Sequence, residues 1–192
     1  RIYDSGGTRG DVQTSRLFRD PSAWYHIVVA VDLTQTTNTN KVLIYVNGVQ
    51  ETLTGTYPTN TNQWGWNGTS AHRISSLRGG SPFQDGYFSE MIMADGLSFF
   101  SDTSGTANSS FNINSFGELK NGVWIPIEPV VSDYGTTGFR LKFNSSDFNE
   151  SGSAITDPYG SAINVPDDDV ADASGKGNHF SVSGLVTSDF GM

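Results

Sequence analysis

The chain has 192 residues, no cysteine, eleven Lys and Arg, and a formal net charge of −9. Those values exclude a disulfide framework or a thiolate metal centre, and they argue against a nucleic-acid or anionic-membrane partner, which needs clustered positive charge. An aromatic content of 12% is too high for a disordered chain, and no apolar run approaches the ~20 residues of a membrane-spanning helix.

Residues 1–14 are rich in Gly and Asp, with Ile2-Tyr3 as the only apolar pair, and read as a frayed strand end and a loop. The chain begins at Arg1 with no signal peptide, as expected of a segment cut from a longer polypeptide. Arg16-Leu17-Phe18 predicts one short strand, ended by Asp20-Pro21. The run Trp24-Tyr25-His26-Ile27-Val28-Val29-Ala30-Val31-Asp32 is apolar on both alternating faces, which predicts an interior strand with cover on each side. Its partner is Lys41-Val42-Leu43-Ile44-Tyr45-Val46, rich in β-branched and aromatic residues. Asn47-Gly48 tolerates positive φ at both central turn positions, so a tight hairpin should return the chain along residues 49–53.

Farther on, residues 57–69 form a polar loop carrying Trp64 and Trp66, residues 71–77 alternate as a strand, and Gly79-Gly80-Ser81-Pro82 is a turn. A second long strand is expected within residues 83–96, where residues 87–93 are nearly all apolar. Residues 97–115 read as loop with at most one short helix near Asn114-Ser115. Val123-Trp124-Ile125-Pro126-Ile127 is extended, and Pro126 confines it to an edge. In residues 138–143 Phe139, Leu141 and Phe143 alternate inward; a last short strand begins at His179-Phe180. The chemistry of the sequence changes near residues 116–129, which suggests a unit over residues 1–118 and a β-rich, loop-rich extension over 119–192.

The Trp24–Val29 and Lys41–Gly48 runs together resemble the W-h-H-h-h-h…h-x-h-Y-h-N-G pattern of laminin-G-like, pentraxin-like domains, within the concanavalin-A-like jelly rolls. Asp85-Gly86-Tyr87-Phe88-Ser89-Glu90-Met91 is similar to their D-G-x-h-x-E-h strand. Asp20-Pro21-Ser22-Ala23-Trp24, Ser115-Phe116-Gly117-Glu118, Gly122-Val123-Trp124-Ile125-Pro126, Tyr134-Gly135-Thr136-Thr137-Gly138-Phe139 and Ala173-Ser174-Gly175-Lys176-Gly177-Asn178 resemble, in that order, segments of large structural proteins of marine tailed bacteriophages. The resemblance implies an all-β antiparallel sandwich of jelly-roll type, lacking some N-terminal strands because only nineteen residues precede Asp20. It also implies a virion protein of a tail fibre or other surface appendage, assembled with other virion proteins or with copies of itself.

Catalysis finds little purchase. A glycosidase needs two carboxylates on one face, roughly 5–5.5 Å apart for retention, yet Glu90 and Asp95 are five positions apart and fall on opposite faces, as do Asp85 and Glu90. No Gly-x-Ser-x-Gly occurs, and His72 and His179 have no partner at a metal-binding spacing. His26 occupies the place of the family's buried strand histidine, which implies a hydrogen-bonded core role. No catalytic residue is therefore assigned, and a carbohydrate-active enzyme is the last of three readings. Many relatives bind calcium through loop oxygens, which makes Asp168, Asp172 and Asn178 candidate ligands; the alternative is a solvated acidic loop built from turn residues. Tyr57, Trp64, Trp66 and Asn67 are the candidate binding set, since aromatic faces stack on sugars and amides bond hydroxyls. The same residues would equally suit a subunit interface. The leading expectation is a lectin-like domain serving assembly, host-glycan attachment or both, with a purely architectural capsid or decoration protein as the alternative.

Overall fold

The computed structural model describes residues 2–4, 7–59, 74, 86–143, 148–149, 155–156, 162–163 and 169–181. Strands account for 32% of it and helix for almost none, so the chain is all-β. The strands lie in small antiparallel sheets of two or three. The chain divides into two compact units, Arg1–Ser70 with Leu97–Ser132, and Ala71–Gly96 with Asp133–Met192. The expected break at 118/119 falls inside a strand of the first unit, Gly117–Lys120.

In the first unit, β1 (Ile2–Asp4) and β2 (Gly7–Thr14) form an antiparallel pair, and β2 also pairs with β6 (Leu53–Thr56). Residues expected to be a frayed strand end and a loop thus supply two strands ahead of Asp20, with Val12 opposite Gly55 and Thr14 opposite Leu53. The second sheet holds β3 (Ile27–Val31), β4 (Val42–Val46) and β5 (Val49–Gln50) in that order. Asn47 and Gly48 take φ of 50° and 77°, and Val46 faces Val49 across the turn they make. The expected hairpin is therefore present. It is short, because after Glu51 the chain leaves this sheet and enters the one containing β2.

Register sorts the side chains of the β3–β4–β5 sheet into two faces. Val28 and Ala30 stand opposite Tyr45 and Leu43, on the side where Tyr45 meets Phe99 with ring centroids 5.7 Å apart. Phe99, Phe111 and Phe116 continue that aromatic layer at 5.5 to 6.4 Å, and Leu43 and Phe99 are buried. Ile27, Val29 and Val31 face Val46, Ile44 and Val42 on the other side. Here Val42 and Val46 are buried, but Ile27 is 60% and Val29 49% exposed. The expected double cover on the first strand is thus not found: β3 lies at the edge of its sheet among the described residues and presents aliphatic side chains to solvent.

A second hairpin of the first unit joins β8 (Gly117–Lys120) to β9 (Val123–Pro126) through Asn121-Gly122, at φ of 53° and 79°. Pro126 ends β9 opposite Gly117, as a residue lacking an N–H should. The only helical turns described are two 3-10 segments, Asn38–Asn40 and Ile113–Ser115. The second has a capping box: Asn112 accepts from the Asn114 amide, and Ser115 Oγ accepts from the Asn112 N–H. Arg16-Leu17-Phe18 is not a strand; Leu17 is exposed, and the Arg16 guanidinium lies 4.7 Å over the Phe18 ring while pairing with Glu51.

In the second unit, β7 (Met91–Met93) pairs with β10 (Phe139–Leu141), Met91 opposite Leu141. The long strand expected over residues 83–96 is described from residue 86 on, and only Met91–Met93 is strand; Tyr87 and Phe88 are exposed. Phe139, Leu141 and Val170 form a buried core, with Met91, Met93, Phe143 and Phe180 packed around it. Phe139 meets Phe180 edge-on at 4.6 Å. Burying each of these aliphatic or aromatic side chains is worth about 1.5–3 kcal/mol. Arg140 breaks the expected alternation, being buried between Phe139 and Leu141; its Nε donates to Glu90 at 2.5 Å. Short strands β11 (Phe148–Asn149), β14 (Asp169–Val170) and β15 (Phe180–Ser181) form one sheet; β12 (Ile155–Thr156) and β13 (Ala162–Ile163) pair separately.

Candidate functional site

Of the candidate binding residues, Tyr57 is described and Trp64, Trp66 and Asn67 lie outside the described residues. Tyr57 lines an open cleft of about 350 Å³ in the first unit. The 3-10 turn after β3 brings Thr39 and Asn40 to one wall, and the segment leaving β5 brings Gln50, Glu51 and Thr52 to another. Val42, Leu43 and Leu53 supply its apolar surface. Gln50 accepts from the Tyr45 hydroxyl at 3.1 Å, which leaves its amide N–H groups available. Glu51, the one charged lining residue among those described, is buried and held bidentately by Arg16.

Of the cleft's lining residues, the sequence singles out Tyr57 alone; Thr39, Asn40, Gln50 and Thr52 carry no such signal. The first two sit in a stretch that reads as mere connection, and only the switch of the chain from one sheet to the other at Glu51–Thr52 sets them opposite Gln50. A polar pair flanking a strand exit was the only available signal.

Of the calcium candidates, Asp168 lies outside the described residues, while Asp172 and Asn178 fall in one turn. Asp172 is buried, and its carboxylate is filled by protein donors. Oδ1 accepts from the Arg140 and Ser174 amides at 2.8 Å each; Oδ2 accepts from Ser174 Oγ at 2.7 Å and the Asn178 amide at 3.0 Å. Asn178 spends its side-chain amide on the carbonyls of Thr136 and Gly138. The Asp172 amide donates to His179 Nδ1 at 3.0 Å. This is the donor pattern of a turn that satisfies itself, with no oxygen of Asp172 left facing outward. No group of three or more His, Asp or Glu with metal-ligand geometry occurs among the described residues.

Asp32 follows the same logic. Its Oδ1 accepts from the Thr34 amide and hydroxyl, and Oδ2 from Gln35 Nε2 and Ser98 Oγ, the latter at 2.5 Å. Partial burial pushes its carboxyl up, but the bonds from Ser98, Thr34 and Gln35 outweigh that and hold it below the ordinary value. Hydrogen bonds from the side chain and amide of Thr106, then from Ser104, hold exposed Asp102 well below the usual carboxylate range. Carboxylates kept ionised and hydrogen-bonded in this way make poor proton donors. His26, expected to be buried in the strand, is half-buried and lies just before β3; it is hydrogen-bonded, its Nδ1 accepting from Trp124 Nε1 at 3.0 Å.

Compared with known proteins, the chain matches no family model, no curated protein and no solved structure.

Proposed function

We propose that this chain is a non-enzymatic structural protein of a tailed-phage virion, part of a tail fibre or another appendage on the particle surface. In this reading a jelly-roll, laminin-G-like domain serves assembly with other virion proteins or with further copies of itself, and attachment to a host glycan. The observation that carries the assembly half is the edge strand β3, whose Ile27 and Val29 are exposed on a face made wholly of Ile and Val. Trp24 just before it is 66% exposed, and Val49 on the far side of β4 is 61% exposed. Aliphatic edge strands left open are templates for pairing with another chain, and exposed apolar surface marks contact sites. The Tyr57 cleft supports the attachment half. Sedimentation of the full chain against an Ile27→Lys, Val29→Lys variant tests the assembly half: the parent should form a discrete oligomer and the variant should not. A parent that stays monomeric at all accessible concentrations would sink it.

A further inference from the structure

We infer that the cleft beside Tyr57 is a subsite for a neutral saccharide, an inference that rests on the attachment half of the reading above and assigns it a place and a ligand class. Four of its lining side chains, Thr39, Asn40, Thr52 and Tyr57, have no hydrogen-bond partner among the described residues, and Gln50 has donors to spare. Three hydroxyls and two amides therefore belong to residues that line one concave surface, together with the apolar residues Val42, Leu43 and Leu53. A sugar ring presents the matching arrangement, with hydroxyls at its rim and C–H groups on its face. Donor and acceptor groups such as Thr, Tyr, Asn and Gln orient a ligand, while apolar lining residues supply contact. At about 350 Å³ the cleft stands at the small end of ligand sites, about 300–1,000 Å³, which fits a mono- or disaccharide better than a chain of many rings.

Charge narrows the class. Among the described residues, the only charged lining side chain is that of Glu51, and Arg16, its partner, does not line the cleft. Among the described residues no lining cation receives a carboxylate, sulfate or phosphate, and the net charge of −9 opposes an anion further. Sialylated, sulfated and phosphorylated sugars are therefore disfavoured, and neutral hexoses and N-acetylhexosamines favoured.

The test is saturation-transfer NMR on the full chain with glucose, galactose, mannose, N-acetylglucosamine, maltose and lactose, set against N-acetylneuraminic acid. At least one neutral sugar should bind, and Gln50→Ala and Asn40→Ala should each weaken it about tenfold, the loss of one good hydrogen bond, with an unchanged melting temperature. Should either variant fail to fold, amide shift changes in the parent decide: perturbation centred on Gln50, Thr52 and Tyr57 supports the cleft, and perturbation elsewhere overturns it. Stronger binding of N-acetylneuraminic acid overturns the ligand class. Neutral-sugar binding that ignores Gln50→Ala and Asn40→Ala but is lost on Trp64→Ala, Trp66→Ala keeps the attachment half and overturns the cleft. Binding of none of these sugars removes both, leaving assembly to the sedimentation test.

Discussion

Gly48 and Gly122 each follow an Asn in a two-residue hairpin turn, at φ of 77° and 79°, but their surroundings differ. A Cβ on Gly122 would meet nothing within 4 Å, whereas one on Gly48 would lie 2.2 Å from Trp124 Cε3. The Trp124 ring cannot step aside freely, because its Nε1 is tied to His26 and its far edge closes on Gly117. Alanine at Gly122 should therefore cost only the left-handed backbone penalty, about 1–2 kcal/mol. Alanine at Gly48 adds the overpacking cost of moving the ring, about 1–3 kcal/mol more. Urea unfolding of the two variants reads the difference directly, and equal losses would mean that the indole is not fixed. Asp32 is the second residue whose role is decided by its partners. Its carboxyl is held below the ordinary value, so its contribution is present above the unfolded value of about 3.9 and is lost as pH falls through the folded one. Stability should accordingly decline below about pH 4, and Asp32→Asn should flatten that part of the curve while lowering stability at pH 7. A variant with the parent's acid limb would remove Asp32 from the acid response.

The Asp172 turn is the element on which the second unit's small core depends. One carboxylate gathers the amides of Arg140, Ser174 and Asn178, and so ties the β10 backbone to the segment between β14 and β15. Asp172→Ala leaves those donors buried without partners, at about 1–3 kcal/mol for each group left unpaired. The expected outcome is loss of the second unit's slow-exchanging amides, with those of β3 and β4 retained; uniform loss across the chain would contradict it. Since the protein already fills every acceptor position of Asp172, added calcium should leave the melting temperature within about 1 °C, whereas a ligand bound to the folded state raises it. A clear rise would restore Asp172 to the ligand list. How much of this was legible follows from where the information lies. The β3–β4–β5 hairpins could be read because β-branched runs and Asn-Gly turns are local. Phe139 and Leu141 were identified as inward by alternation, but Arg140 was not, since its pairing with Glu90, fifty positions away, leaves no local signal. Residues 1–14 read only as a frayed strand end and a loop because a Gly- and Thr-rich run shows no apolar period; the place of β2 is fixed by pairing with Leu53–Thr56. Asp172 was singled out for its acidity, and the spacing alone could not distinguish a ligand from a turn organiser. Ser174 and Asn178 serve either purpose.

At the scale of the whole molecule, the charge and the exposed aliphatic strand act against each other, and their balance sets a condition on assembly. Copies bearing −9 repel one another, while Ile27, Val29 and Val49 gain about 25 cal/mol for each Å² of apolar surface removed from water. Repulsion between exposed charges is screened over about 10 Å at 0.1 M salt and about 3 Å at 1 M, but apolar burial is not weakened by salt. If β3 is the contact, self-association should strengthen as sodium chloride rises from about 0.05 to 0.5 M. A contact built on ion pairs would weaken over the same range. Ile27→Lys with Val29→Lys should abolish association at every salt concentration, and should leave the melting temperature within about 2 °C because these positions are solvent-exposed and surface changes cost little. Sedimentation across the salt series checks both halves. Association that falls with salt would exclude the apolar strand as the contact, and a double-lysine variant that assembles normally would move the contact to another face, of which the exposed Leu119, Val123 and Val130 are the next to examine.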